Sequence, residues 1–132
     1  MAIAIDTSAL IAVIFGEPDA SSIARTMLAN AGDCSLSAAT LVEASIVVEA
    51  KQGPAATQDL QLLIERIGAE IMPVDAQTAA TAISAWRRFG KGRHRAGLNF
   101  GDCFAYALSK NSGLPLLFKG DDFTQTDIAQ AG

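Results

Sequence analysis

Short runs rich in apolar residues alternate with longer stretches of helical periodicity along this 132-residue chain. The short runs, bounded by Gly, Pro or Asp, are typical of buried strands and predict strands at residues 2–5, 33–36, 70–74 and 115–118. The stretches between them predict helices at residues 7–14, 19–29, 38–51, 55–67, 75–89, 101–111 and 122–129. Because strands that alternate with helices form βα units, the sequence predicts an α/β fold around a mainly parallel sheet.

The length of the chain suits one domain with a core of its own, and we assign residues 1–132 to a single domain. Half of the residues are hydrophobic (50%), which excludes a disordered chain. No apolar stretch approaches the length of a membrane span and no signal sequence is evident, so we expect a cytoplasmic protein without a membrane partner. Cys34 and Cys103 lack the spacing of a redox motif, which favours reduced core thiols.

Acidic residues stand in four places where their neighbours are apolar. Asp6 directly follows the first predicted strand, and the pair Asp121 and Asp122 follows the last one. Glu43 interrupts an apolar helical run, and Asp102 opens a later helix. Because ligands bind beyond the carboxyl ends of parallel strands, we expect Asp6 and Asp121 to emerge at one edge of the sheet. Glu43 and Asp102 would reach the same edge from flanking helices.

Each acid taken alone has a simpler explanation. Asp6 can cap the helix that follows it, and the other aspartates can serve helix N-termini in the same way. Glu43 fits such an explanation least well, since it would need a buried hydrogen bond or salt bridge. One shared cation explains all four places. Mg²⁺ and Mn²⁺ prefer carboxylate oxygens, whereas the single His94 has no partner that would favour zinc.

The positive charge of the chain is concentrated in one segment, although the net charge is −4. Half of all Lys and Arg residues are Arg87, Arg88, Lys91, Arg93 and Arg95. A basic segment beside an acidic pocket suits a polyanionic substrate that is held through a cation, and we take these five residues as candidate substrate contacts. A solvated helix end and loop explains the same charges equally well.

Two hydroxyl side chains, those of Thr7 and Ser8, stand beside Asp6. They can orient a carboxylate or a water molecule, and Ser8 is a further candidate substrate contact. The simpler explanation is that both are ordinary first residues of a helix. The glycine-rich phosphate-binding loops and the nucleophile elbow of α/β hydrolases have no counterpart in this sequence.

Three segments closely resemble PIN-domain proteins, and especially the VapC-type ribonuclease toxins of bacterial type II toxin–antitoxin pairs. They are IAIDTSAL at 3–10, SAATLVEA at 37–44 and LNFGDCFAYA at 98–107, and the segment LLFKGDDF at 116–123 fits the same group. The resemblance covers essentially the whole chain, and the segment around Asp102 is its most specific part.

The resemblance implies a three-layer α/β/α sandwich with a mainly parallel sheet of four or five strands. It implies an endoribonuclease that depends on Mg²⁺ or Mn²⁺, with Asp6, Glu43 and Asp102 as catalytic and metal-binding acids. Many relatives have their fourth acid where this chain has Gly120. We therefore place the fourth acid at Asp121, which lies nearer the strand end, with Asp122 as the alternative.

The family also implies three partners: an RNA substrate, a second copy of the chain in a homodimer, and a VapB-type antitoxin. The C-terminal segment of such an antitoxin lies across the active site, where an arginine can pair with the carboxylates in place of the metal.

Other functions remain open at the level of sequence. The same family includes structure-specific nucleases and RNA-processing nucleases, which would keep the chemistry and change the substrate. A receiver-like phospho-acceptor domain is also acidic, Mg²⁺-binding and doubly wound, but it would need two acids at the end of the first strand, where only Asp6 stands. A module that only binds RNA or dimerises is the remaining alternative.

Overall fold

The computed structural model describes residues 2–132, which form a four-stranded sheet with helices on both faces. The strands are β1 (Ile3–Ile5), β2 (Cys34–Ser37), β3 (Glu70–Met72) and β4 (Leu116–Leu117). The helices are α1 (Thr7–Ile14), α2 (Ala20–Ala29), α3 (Ala38–Gln52), α4 (Pro54–Arg66), α5 (Ala76–Phe89) and α6 (Phe100–Ser112), followed by a short 3-10 helix (Asp122–Gln125). These elements confirm the predicted alternation of strands and helices.

The sheet has the strand order β3-β2-β1-β4, and every pairing within it is parallel. The chain adds β2 and β3 on one side of β1 and then returns to add β4 on the other side. The order therefore reverses beside β1, and the crevice beyond its carboxyl end is the usual place for a ligand in such a sheet. Asp6, the residue after β1, lies at this reversal.

Side chains of β1 alternate between two hydrophobic cores, as the pleat of a strand requires. Ile3 and Ile5 pack into a core with residues of α1 to α4, whereas Ala4 packs into a second core with residues of α5 and α6. The neighbouring residues of β4 divide in the same way, with Leu117 in the first core and Leu116 in the second. The result is the three-layer α/β/α sandwich that the resemblance implied.

Caps fix where several helices begin and end. The side chain of Ser37 caps α3, and that of Asp75 caps α5, each by accepting a hydrogen bond from a backbone N–H of the first turn. Gly53, with a φ of 85°, separates α3 from α4, and Pro54 follows it at the first position of α4. These local signals explain why most predicted boundaries are close to the observed ones.

The predicted helix at residues 122–129 is wrong beyond its first turn. After the 3-10 helix the backbone extends, and Gln130 forms a parallel bridge with Leu116. The N–H of Leu116 donates to Ala129 O at 2.9 Å, and the N–H of Ala131 donates to Leu116 O at 2.9 Å. Pairing with β4, a tertiary interaction, therefore overrides the helical pattern in this segment.

Cys34 and Cys103 are buried free thiols, as predicted. Within residues 2–132 none of the helices combines the length and the apolar character that crossing a membrane requires.

Candidate active site

Asp6 lies at the carboxyl end of β1 and caps α1. Its Oδ2 accepts hydrogen bonds from the backbone N–H of Ser8 at 3.0 Å and from Ser8 Oγ at 2.6 Å. Its side chain is only 3% exposed. Burial raises the pKa of Asp6 to about 6, the hydrogen bonds from Ser8 oppose that rise, and the negative charge of Glu43 adds to it. The capping role and the acidic site thus coincide in one residue.

Glu43 reaches this edge from α3. The hydroxyl of Thr7 donates to Glu43 Oε1 at 2.6 Å, so the residue after Asp6 fixes the orientation of the second acid. The Glu43 carboxylate also lies directly against Gly101, where a Cβ atom would overlap both of its oxygens. Glu43 is therefore packed between the start of α1 and the start of α6.

Asp102 lies in the first turn of α6 and takes part in a capping box with Asn99. Asp102 Oδ2 accepts from the backbone N–H of Asn99 at 3.0 Å, and the N–H of Asp102 donates to Asn99 Oδ1 at 2.9 Å. Burial raises the pKa of Asp102 to about 7, against the hydrogen bond from Asn99, and the charges of Asp6, Asp122 and Glu43 raise it further. The carboxylates of Asp6, Glu43 and Asp122 are thus all close enough to raise the pKa of Asp102.

The same electrostatic evidence bears on the fourth acid. Asp122, the first residue of the 3-10 helix, is among the charges that raise the pKa of Asp102. Asp121 instead lines a cavity shared with α2 and the C-terminal residues, next to Asp19 and Ser22. Both positions therefore stay candidates for the fourth acid, and Asp122 is the one whose charge acts on Asp102.

The donor set suits a hard divalent cation, because all of its ligands are carboxylate oxygens. Burial is the main cause of the raised pKa values of Asp6 and Asp102, and a cation would offset both that burial of charge and the added repulsion between the acids. In the described part of the chain, however, no three His, Cys, Asp or Glu side chains are already gathered as ligands of one ion. The carboxylates that caps and hydroxyls hold in place must therefore rotate toward a bound cation.

The hydroxyl of Ser8, a predicted substrate contact, takes part in two hydrogen bonds within the protein. Its hydroxyl donates to Asp6 Oδ2 and accepts from the backbone N–H of Lys119 at 2.9 Å. Ser8 thus links the end of β1 to the segment after β4, which leads to Asp122. It positions the acids, as Thr7 does for Glu43.

The predicted basic contacts lie where α5 ends and in the loop that leads to α6. A parallel bridge between Gly90 and Leu98 closes this loop, so its two ends meet beside the start of α6. Arg88 approaches Asp127 at 3.7 Å, and Arg93 lies over the ring of Trp86 at 4.7 Å. The basic segment therefore neighbours the helix that carries Asp102.

Comparison with known proteins identifies the family of this chain. A model of the PIN domain matches residues 3–129. The chain belongs to the PIN-domain family. This PIN domain is 48% identical to "Ribonuclease VapC" of Mycolicibacterium smegmatis over 125 residues, which cover 95% of this chain and 96% of that protein. Membership of the family sets aside the receiver-like alternative.

Solved structures agree with the fold. VapC20 of Mycobacterium tuberculosis, described as a sarcin-ricin loop cleaving toxin, aligns with this PIN domain with a TM-score of 0.81 and 17% identity, covering 98% of each chain. VapBC2 from Rickettsia felis, solved bound to a DNA fragment from its promoter, aligns with a TM-score of 0.77 and 15% identity, covering 98% of this chain and 96% of that one.

Sequence reasoning missed two features of this site. Gly101 gives the Glu43 carboxylate its place, and the only signal for it was a glycine inside an apolar helical run, directly before Asp102. The other is Phe100, which is 81% exposed at the first position of α6.

Proposed function

We propose that this PIN domain is a metal-dependent endoribonuclease that hydrolyses phosphodiester bonds in RNA, and that it is the toxin of a VapBC-type toxin–antitoxin pair. The observation that carries the proposal is the electrostatic effect of Asp6, Glu43 and Asp122 on Asp102 near the reversal of strand order, where burial and neighbouring charges raise the pKa values of Asp6 and Asp102. Its relatives named ribonuclease VapC, similar over nearly their whole length, support the substrate class.

We assign the cation to Mg²⁺ or Mn²⁺. Oδ2 of Asp6 and Oδ2 of Asp102 are engaged by hydrogen bonds, which leaves Oδ1 of each for the ion. When bound, the ion supplies positive charge to the phosphate and lowers the pKa of the attacking water. Without the ion, the negative charges of Asp6, Glu43, Asp102 and Asp122, which together form the acidic edge of the sheet, repel the phosphates of the substrate. Chelation should therefore abolish activity.

The protein's own residues orient the reacting groups. Thr7 and Ser8 hold Glu43 and Asp6, and Asn99 holds Asp102, so these hydrogen bonds keep the acids at one edge of the sheet beside the substrate. Water attacks phosphorus in line with the bond that breaks, the 3′ oxygen leaves, and the product carries a 5′ phosphate. Arg87, Lys91, Arg93 and Arg95 contact flanking phosphates, which position the RNA without reading its sequence.

The antitoxin proposal rests on the surface beside Glu43. Val42 and Ile46 lie one turn apart on α3 and are 58% and 63% exposed. A segment that buries them would run past Glu43, where an arginine could pair with the carboxylates. Saturating antitoxin should then stop cleavage and weaken Mn²⁺ binding, and cleavage that persists at saturation would contradict this arrangement.

We also propose a homodimer, which the resemblance to VapC-type toxins implies. Light scattering of the purified chain should give twice the mass of the 13.7 kDa protomer. A single-chain mass at micromolar concentration would overturn that assignment and leave the nuclease proposal intact.

The direct test of the nuclease is cleavage of labelled RNAs, structured and unstructured, with Mn²⁺, with Mg²⁺ and with EDTA. Single-stranded and duplex DNA serve as substrate controls, and Asp102→Asn serves as the control for the site. We expect cutting of RNA that needs the cation and that Asp102→Asn abolishes. Folded, antitoxin-free protein that cuts none of these RNAs, or cutting that survives in Asp102→Asn, would overturn the proposal.

A further inference from the structure

We propose that Lys119 contacts a phosphate of the RNA next to the phosphate that is cut, and that Glu17 competes with the RNA for this lysine. The inference rests on the proposed function and adds a substrate contact to it. Lys119 is the single cation between the end of β4 and the end of the 3-10 helix, a segment that also carries Asp121 and Asp122.

The backbone of Lys119 is anchored to the acidic edge. Its N–H donates to Ser8 Oγ at 2.9 Å, and the same hydroxyl donates to Asp6 Oδ2 at 2.6 Å. Two residues earlier, the carbonyl of Leu117 accepts from the N–H of Asp6 at 2.9 Å. Two separate hydrogen-bonded connections therefore hold the backbone of this lysine beside the first acid of the site.

The side chain of Lys119 has one partner. Its Nζ donates to Glu17 Oε1 at 2.8 Å, and within residues 2–132 this is its single hydrogen bond. Because an ammonium group has three donors, two remain for a ligand. The two side chains are 31% and 33% exposed, and an ion pair with this much exposure contributes little to stability. A phosphate can therefore compete with Glu17 for the lysine.

Lys119 lines a cavity that begins at the acidic edge. The cavity has a volume of about 570 Å³ and lies between residues 117–121, α2 and the C-terminal residues 130–132. Its wall starts at Leu117, the residue whose carbonyl binds the N–H of Asp6. A space of this size admits a nucleotide. The nucleotide next to the bond that is cut thus has room beside Lys119.

Charge favours a phosphate as the ligand of this lysine. The hydrogen bond with Glu17, together with the charges of Glu17 and Asp19, raises the pKa of Lys119, so the side chain is protonated at neutral pH. Asp19 and Asp121 line the same cavity and would repel an RNA strand that enters it. The lysine offsets that repulsion. A cationic side chain of a protein partner would pair with the two acids instead and would gain nothing from Lys119.

The test measures binding of a fluorescein-labelled single-stranded RNA of mixed sequence by anisotropy, in Mg²⁺ and at several KCl concentrations. The protein carries Asp102→Asn, so that the RNA stays intact. We expect Lys119→Ala to weaken binding by roughly 10-fold, the usual contribution of one hydrogen bond to a charged group. It should also reduce the slope of log K against log salt by about 0.7, the value for one phosphate contact with a single strand.

Glu17→Gln should have the opposite effect on RNA binding. It should tighten binding by up to roughly 5-fold, because an ion pair with this exposure holds the lysine no more strongly than that. Both variants break the same ion pair, so thermal melts should show a similar small loss of stability in each. Equal signs in stability and opposite signs in binding distinguish a substrate contact from a purely structural ion pair.

The double variant separates a direct contact from charge that acts at a distance. In protein that already carries Lys119→Ala, Glu17→Gln should have no further effect, because Glu17 acts through the lysine. Effects of charges that act independently would add instead.

Two single variants are matched controls for charge. Asp19→Asn removes a negative charge from the same cavity, and the start of α2 stays intact because the Asp19 side chain forms no cap hydrogen bond. It should change RNA binding much less than Glu17→Gln does. Lys110→Ala removes a lysine that pairs with Asp127 at 2.7 Å in the last turn of α6. It should leave the salt slope unchanged.

Kinetics of the protein with Asp102 intact give a further readout. Lys119→Ala should raise KM and leave kcat nearly unchanged, because a contact with a flanking phosphate is made equally in the ground state and in the transition state.

Four results would overturn the proposal. They are RNA binding that Lys119→Ala leaves unchanged, equal weakening by Lys119→Ala and Glu17→Gln, tightening by Glu17→Gln that persists without Lys119, and loss of antitoxin binding in Lys119→Ala with RNA binding intact. The last result would assign the lysine to the antitoxin. Failure of the proposed function has a different signature, because RNA would then bind through Lys119 while the wild-type protein cuts none of it.

Discussion

Asp6 and Asp102 each cap or stabilise the N-terminus of a helix and also belong to the acidic edge of the sheet. One oxygen of each carboxylate accepts backbone hydrogen bonds within a cap, and burial together with neighbouring acids raises the pKa of each. The caps fix where the carboxylates lie, and the raised pKa values measure how strongly the site disfavours negative charge without a cation.

The raised pKa values of Asp6 and Asp102 predict that the metal-free protein becomes less stable as the pH rises. Asp6 and Asp102 have folded pKa values of about 6 and about 7, above 3.8, so the native protein binds more protons than the unfolded chain in that range. Without a cation, the free energy of unfolding should therefore fall by on the order of 2 kcal/mol between pH 5 and pH 8. Thermal melts in EDTA measure it.

Mn²⁺ provides the control for that experiment. Mn²⁺ should raise the melting temperature more at pH 8 than at pH 5, because at pH 8 the carboxylates are ionised and free to bind the ion. Metal-free stability that rises from pH 5 to pH 8 would show that the acids do not repel one another as described.

The two candidate fourth acids give a matched pair of variants at adjacent positions. Asp122 contributes to the electrostatics of Asp102, whereas Asp121 lines a different cavity. Asp122→Asn should lower RNA cleavage by roughly 10-fold to 100-fold, the usual cost of disturbing the surroundings of a metal site. Asp121→Asn should leave the rate nearly unchanged. The reverse order of effects would restore Asp121 as the fourth acid.

At the scale of elements, the site depends on how closely α6 approaches α3. Gly101, in the first turn of α6, leaves room for the Glu43 carboxylate, while the hydroxyl of Thr7 holds that carboxylate from the side of α1. The position of the Glu43 carboxylate thus depends on three helices: α3, which carries it, and α1 and α6, which contact it.

Gly101→Ala tests this contact between helices. The added Cβ must displace the Glu43 carboxylate, so RNA cleavage should fall by roughly 10-fold to 100-fold. Thermal stability should not fall with it, because alanine favours a helix over glycine by about 1 kcal/mol. The Glu43→Gln variant serves as the reference, because its loss of RNA cleavage shows the effect of removing the charge itself. Full activity in Gly101→Ala would mean that Glu43 need not occupy its observed position.

The positions of the strands and helices also show which parts of the site could be predicted from the sequence. Asp6 and Asp102 were predictable because strand ends and helix caps are local features. Spacing from the strand did not separate Asp121 from Asp122, because both follow β4 within a few residues. The pairing of Gln130 with Leu116 is likewise a tertiary contact, and the helical pattern of its segment concealed it.

At the scale of the whole molecule, two surfaces meet at the start of α6. One is the edge that carries the acids, and the other is the end of α5 and the following loop, which carry the basic residues Arg87, Arg88, Lys91, Arg93 and Arg95. The exposure of Phe100 could not be predicted, since the burial of a side chain at the start of a helix depends on how the neighbouring elements pack. Together the surfaces account for an acidic protein, with a net charge of −4, that acts on a polyanion.

The central claim is that acids from β1, α3, α6 and the segment after β4 form one cation site. Anomalous diffraction from crystals soaked in MnCl₂ tests it most directly. We predict a manganese peak within about 2.5 Å of carboxylate oxygens of Asp6 and Asp102, with Glu43 or Asp122 turned toward it. Crystals of protein that cuts RNA with Mn²⁺, but that show no manganese at these acids, would contradict the account.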